Sequence, residues 1–334
     1  MDTIGRMILG SALVLCLCAV GPAFAETPAP AEANQVSLSL GAGLGLMNGN
    51  TKYHISSYDA TGGIESELEF PLSSTFFALE GSLASKDSKN RDLFTARLRW
   101  LTSIMSPSGT MKDSDWLSDS IDIVLVGQAH PGIDIYSTSQ AELNANILDL
   151  RATASFWPTD KVAIGPLGGF LYEKFKYDVS NLNQVGFGPY APGATGTVLG
   201  SVLTYEVTYT ALYVGGRAEG RFENGLRASV DLGYSPWASA KDKDNHLLRY
   251  KLSEGDTTGS AYFAELSGTW QFDVQNSVAL EGRYRKITTT GPQTQTWYFA
   301  PNPDGLPAGT TAGGIQDRIT SELTSLTLLF RHGF

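Results

Sequence analysis

Apolar and polar residues alternate with a period of two through most of this chain. The pattern is plainest at its end. Leu326, Leu328, Phe330, His332 and Phe334 share one parity, and Ser325, Thr327, Leu329, Arg331 and Gly333 share the other. Successive side chains of an extended chain point to opposite faces, so this segment predicts a strand with one apolar or aromatic face and one small, mostly polar face. The same alternation puts Phe94, Ala96, Leu98 and Trp100 opposite Thr95, Arg97 and Arg99. Ten such segments are predicted: Val36–Met47, Ile64–Leu83, Leu93–Ile104, Asn144–Trp157, Val162–Val179, Gly200–Phe222, Leu226–Ser235, Ala261–Val274, Val278–Thr290 and Ile319–Phe334.

The connections alternate in length. Pro158–Lys161, Glu223–Gly225 and Gln275–Ser277 read as tight turns, whereas 48–63, 105–143, 180–199, 236–260 and 291–318 read as long loops rich in Gly, Pro, Ser and Asp. A closed sheet leaves no backbone edge unpaired and so can span lipid without a helix. An even number of strands, short turns at one end and long loops at the other predict an all-β fold. The expected architecture is a ten-stranded antiparallel transmembrane β-barrel of the bacterial outer membrane, with the long loops outside.

The ends agree with export. Met7–Val20 is an apolar run too short to cross a membrane comfortably, and Gly21-Pro22-Ala23-Phe24-Ala25 ends in a small-x-small pattern. Residues 1–25 are therefore expected to be a signal peptide, 26–35 a short lead-in and 36–334 the barrel. Both cysteines, Cys16 and Cys18, fall in the segment to be removed, which leaves no thiol for a disulfide, a metal site or catalysis. The net charge of −10 argues against nucleic acid as a partner, because phosphate contacts need Lys and Arg.

Two acidic motifs stand out against the sparsely charged strands, Asp113-Ser114-Asp115-Trp116 and Asp242-Lys243-Asp244-Asn245-His246. By the count of connections both belong to long loops and share one rim. In extended backbone Asp113 and Asp115 point the same way, and so do Asp244 and His246. Two carboxylates about 4 Å apart repel by about 4 kcal/mol at an effective dielectric near 20, so a proton, a cation or an ordered water must offset the pair. A histidine oriented by a carboxylate is a competent general base toward water. The four histidines, His54, His130, His246 and His332, lack zinc spacing, and no serine stands in a nucleophile-elbow setting. An all-carboxylate calcium site remains open. Each motif read alone is more simply a solvated acidic turn.

Together, in this order and with these flanks, the motifs resemble the omptin family of outer-membrane proteases. The flanks are Met111-Lys112 before the first motif and Gly233-Tyr234-Ser235-Pro236-Trp237 before the second. The resemblance spans essentially the whole chain after residue 25. It implies an endopeptidase acting on peptides and proteins at the cell surface, with no covalent intermediate and no cofactor. Asp244 and His246 would activate water, and Asp113 and Asp115 would face them and help to hold it. It also implies a substrate pocket at Asp242, and lipopolysaccharide as a partner required for activity.

The chain departs from the family in the residues that read the substrate and the lipid. The resemblance places Tyr53 where omptins that cut at basic residues carry a glutamate, so Asp242 would stand there with Tyr53 rather than with a second carboxylate. Tyr53 would then stack on a guanidinium or favour an apolar side chain. Lys174 stands where the family has one lipid-binding arginine, and Thr208 replaces another. Leu226, Ala228, Val230, Leu232 and Tyr234 share parity with Asp242, Asp244 and His246. An unbroken strand would turn the motif outward, so a bulge is predicted at Ser235–Pro236. The alternatives are a barrel of the same family serving as an adhesin or receptor, and a passive porin. A ten-stranded barrel is narrow and filled by side chains, which speaks against the porin.

Overall fold

The computed structural model describes residues 35–59, 62–104, 109–116, 132–157, 159–187 and 193–334. The expected signal peptide 1–25, all of the lead-in but Gln35, and His130 lie outside them. The strands are β1 (Gln35–Asp59), β2 (Gly62–Pro71), β3 (Ser74–Lys86), β4 (Asp92–Ser103), β5 (Gly109–Trp116) and β6 (Ile135–Ala154), followed by β7 (Val162–Gly186), β8 (Thr195–Arg221), β9 (Leu226–His246), β10 (Lys251–Gln271), β11 (Asn276–Trp297) and β12 (Thr311–Gly333).

All neighbours are antiparallel. β1 pairs with β12 from Ser39↔Gly333 to Ser56↔Gln316, which closes the sheet. The other edge of β1 is shared: its first half pairs with β3 and its second half with β2. β2 and β3 are thus one wall interrupted at Leu72–Ser73. In the same way β4 and β5 take successive halves of β6 and form another. The twelve segments make ten walls, as the alternation predicts.

The outer face explains which parts of the strands were legible. Leu38, Leu40, Leu44 and Leu46 of β1 and Leu326, Leu328 and Phe330 of β12 are exposed, part of an apolar belt suited to lipid. Beyond it the outward positions turn polar, to Asn48, Lys52 and His54 on β1 and to Thr324, Glu322 and Arg318 on β12. The hydrogen-bonded ladder nevertheless continues. Among the described residues the long loops expected at this end are therefore mostly strand, and only residues 247–250 separate β9 from β10. Both acidic motifs lie on strand ends and not in loops, contrary to the sequence expectation. The reason is that hydrophobic alternation fades at the edge of the lipid belt while backbone pairing does not.

The lumen is filled. Near the turn end, Arg97, Arg99, Arg151, Arg283 and Arg331 interlock with Glu80, Glu265, Glu281, Asp149 and Asp231. Representative contacts are Arg283 Nε–Glu265 Oε2 at 2.7 Å, Arg331 Nε–Glu80 Oε1 at 2.7 Å and Arg99 Nη2–Glu281 Oε2 at 2.5 Å. Next come apolar side chains, among them Met47, Phe76, Leu101, Leu171 and Leu323. An aromatic cluster follows, with Phe70 stacked on Tyr205 at 4.4 Å and Tyr53 tilted against Tyr205 at 5.5 Å. Phe70 and Tyr205 belong to β2 and β8, which pair with the β5 and β9 that carry the acidic motifs.

Candidate active site

The second motif faces inward because β9 is bulged where predicted. Ala261 pairs with Ser235 but Gly259 with Ala238, and on the other side Leu212 pairs with Trp237 but Val214 with Tyr234. The extra residue lies at Ser235–Trp237, where Pro236 has no N–H to offer a ladder and the Trp237 amide donates to Ser235 Oγ at 3.2 Å. Before the bulge Ser229 and Asp231 are the buried parity; after it Ala238, Ala240, Asp242 and Asp244 are.

Asp244 is fully buried, and His246 closes the strand beside it. His246 Nε2 stands 2.7 Å from Asp244 Oδ2, at ion-pair distance but off the line of a straight hydrogen bond. Such contacts in ligand-free sites tighten when substrate arrives. With Nε2 beside the carboxylate, Nδ1 is the ring nitrogen left for a water.

Asp113 and Asp115 sit on β5, clamped between β2 and β6: Leu68↔Asp113↔Ser137 and Ser66↔Asp115↔Ile135. The Ser66 hydroxyl points to Asp113 Oδ1 at 3.5 Å. Burial, then the charges of Asp115 and Asp244, push the Asp113 carboxyl well above its usual range. Burial raises Asp115 too, against the opposing effects of Ser66, His246, Arg249 and Lys251. The two motifs, on β5 and β9, therefore feel each other's charge across the lumen.

Asp242 and Tyr53 come together as expected, but with a third residue that sequence reasoning missed. Asp317 on β12 is as deeply buried as Asp242, and no side chain outside the pair donates to any of their four oxygens. The two carboxyls lie within hydrogen-bond reach of each other. A methyl group built on Gly255 would strike Asp242 Oδ1 and Asp317 Oδ2, so only glycine fits beneath them. Burial and the Asp317 charge push Asp242 up to about 9, while burial raises Asp317 to about 7. The register explains the encounter: Tyr53 pairs with Ile319, and Ile55 with Asp317. The missed signal was parity, since Asp317 continues the inward series Ile319, Ser321 and Leu323 beyond the point where the strand was expected to begin.

Tyr53 itself is fully buried, its ring tilted against Tyr205 at 5.5 Å. The Tyr53 hydroxyl accepts from Gln293 Nε2, and burial together with Asp244, Asp242 and Asp317 holds its proton firmly. Lys174 lies elsewhere, on the outer face of β7 opposite Thr208, with Nζ 2.5 Å from Glu206 Oε1 and Lys176 on the same carboxylate at 3.1 Å. Among the described residues no group of three His, Cys, Asp or Glu is arranged to hold a metal ion.

A family model described as the Omptin family matches residues 34–321. The plasminogen activator of Yersinia pestis is 25% identical over 272 residues, which cover 80% of this chain and 82% of that relative. The outer membrane protease OmpT of Escherichia coli superposes with a TM-score of 0.71 at 16% identity, covering 91% of this chain and 99% of that one.

Proposed function

The chain belongs to the omptin family of the bacterial outer membrane, and on that premise we propose that it is an endopeptidase in which Asp244 and His246 activate water. The observation that carries this reading is the 2.7 Å contact between His246 and Asp244 on a bulged strand end, whose charges act on Asp113 and Asp115. His246 takes a proton from a water held toward Asp113 and Asp115. The water oxygen adds to the peptide carbonyl, and Asp244 stabilises the imidazolium that results. Collapse of the tetrahedral intermediate breaks the carbon–nitrogen bond, and His246 returns its proton to the leaving amine. No acyl-enzyme forms.

Two finer assignments accompany it. Asp242 and Asp317, with the Tyr53 hydroxyl beside them, form the pocket for the side chain preceding the cleaved bond. Two unpartnered buried carboxyls suit a basic side chain, which would displace the proton they share. Thus Asp317 stands in for the carboxylate missing at Tyr53. Lipopolysaccharide is the proposed lipid partner at Lys174, where a single ammonium, already shared with Glu206, gives a weaker hold than an arginine fork.

The test is cleavage of internally quenched peptides by the refolded barrel. Asp244→Asn and His246→Ala are each expected to lower the rate by about 10³–10⁴-fold, with the heat-dependent gel mobility of the folded barrel retained. Cleavage at the parental rate by either folded variant would refute the dyad and favour an adhesin or receptor role.

A further inference from the structure

The proposed reaction builds negative charge on a carbonyl oxygen in a cleft that already holds five carboxyl groups, Asp113, Asp115, Asp242, Asp244 and Asp317. Hydrolysis there is favoured by a hydrogen-bond donor aimed at that oxygen, and among so many carboxyls a positive one serves best. His246 does not fill this role, because its free nitrogen is engaged with the water. Arg249 does not either: it lies exposed at the hairpin tip, with Nε 3.1 Å and Nη2 3.0 Å from the Asp304 carboxylate.

Lys251 remains. It is the first residue of β10 and pairs directly with His246 across the hairpin. Such cross-strand neighbours have Cβ atoms about 5 Å apart. Lys251 lies on the inward parity, followed by Ser253 opposite Asp244, and is 5% exposed, the one buried lysine among the described residues. No carboxylate among the described residues comes within salt-bridge distance of its ammonium. A buried lysine without an ion pair is costly unless its charge has a task.

We propose that Lys251 is a catalytic residue that supplies the positive charge for the oxyanion. This rests on the water-activating role of Asp244 and His246. As the water oxygen bonds to the carbonyl carbon, the carbonyl π pair moves to oxygen and the water proton to His246. The Lys251 ammonium donates to the oxyanion and keeps its own protons throughout. When the oxyanion collapses, the electron pair returns to the carbonyl and the amine leaves with the proton from His246. The charged groups around Lys251 are Asp244 and His246 on β9, Asp113 and Asp115 on β5, Arg249 in the hairpin and Asp304 between β11 and β12. Burial, then Arg249, draw its pKa below the usual lysine range, against the pull of Asp244, Asp304 and Asp115. The rate should therefore decline on the alkaline side as Lys251 loses its proton.

The experiment compares Lys251→Met and Lys251→Arg with the parent and with Asp244→Asn, using one internally quenched peptide that has arginine before the cleaved bond. Lys251→Met is expected to lower kcat about 100-fold with KM nearly unchanged, and to lose the alkaline decline. Lys251→Arg is expected to recover a substantial part of kcat and to move the decline to higher pH. Parental kcat in Lys251→Met, alongside an inactive Asp244→Asn, would overturn the role of Lys251 and leave the dyad standing. Equal losses in both lysine variants, with lower heat stability and an unchanged pH profile, would mark a structural post and overturn it as well. Full activity in Asp244→Asn would instead remove the dyad on which the proposal stands.

Discussion

The lumen of this barrel buries charge in two places, and the two follow opposite rules. Near the turn end every carboxylate of the network meets a guanidinium, as where Glu281 meets both Arg99 and Arg331 at 2.5 Å. At the other end the buried Asp242, Asp244 and Asp317 and the half-buried Asp113 and Asp115 share a site with one histidine and one buried lysine. Paired buried charge can be kept for structure, since each ion replaces the water the other has lost. Unpaired buried charge lowers stability, so its persistence points to a ligand or a reaction that completes it. The contrast separates scaffold from site without reference to any relative.

The largest effect should come from breaking the paired end. Arg99→Met would strand Glu80 and Glu281, and is expected to cost about 3–5 kcal/mol in urea unfolding, without a change in peptide selectivity for the fraction that folds. A loss below about 1 kcal/mol would mean that the network is solvated and the contrast false.

Asp317→Asn should do the reverse. Asp242 and Asp317, raised to about 9 and about 7, keep protons that the unfolded chain releases near pH 4. The penalty is absent below that pH, grows as pH rises from there toward these values and levels off above them. Asp317→Asn is therefore expected to raise stability at pH 8 and leave it unchanged at pH 4. It should also lower the preference for arginine over methionine before the cleaved bond by about tenfold, the equivalent of one charged contact. Equal stability at both pH values, or an unaltered preference, would separate Asp317 from the pocket.

The smallest effect belongs to the outer wall. Lys174→Ala is expected to raise the lipopolysaccharide concentration for half-maximal activation about fivefold, the worth of one lysine at an anionic surface. No shift would take Lys174 out of lipid contact and leave its pairing with Glu206 as its whole role.

The alternation along ten segments was enough to give the closed sheet and the number of its walls, and the parity of 226–246 gave the conflict that required a bulge near Pro236. Each of these follows from side-chain direction along one strand. That Asp113 and Asp115, and likewise Asp244 and His246, lie together was legible too, because they are neighbours within a strand. Their place on strand ends was not legible, since polar outward residues such as Lys241 and Lys243 look the same in a loop and in a ladder above the lipid.

What the sequence determined by itself was therefore whatever lies within one strand: which faces are apolar, which acids point together, where a proline forces a change of register. What the tertiary structure decided lies between strands. It set Asp317 of the last wall against Asp242, Lys251 beside His246 and the Tyr53 ring under Tyr205. Those meetings depend on the stagger with which ten walls close on one another. That stagger is fixed by the hydrogen-bond register of the whole barrel, and no single segment carries it.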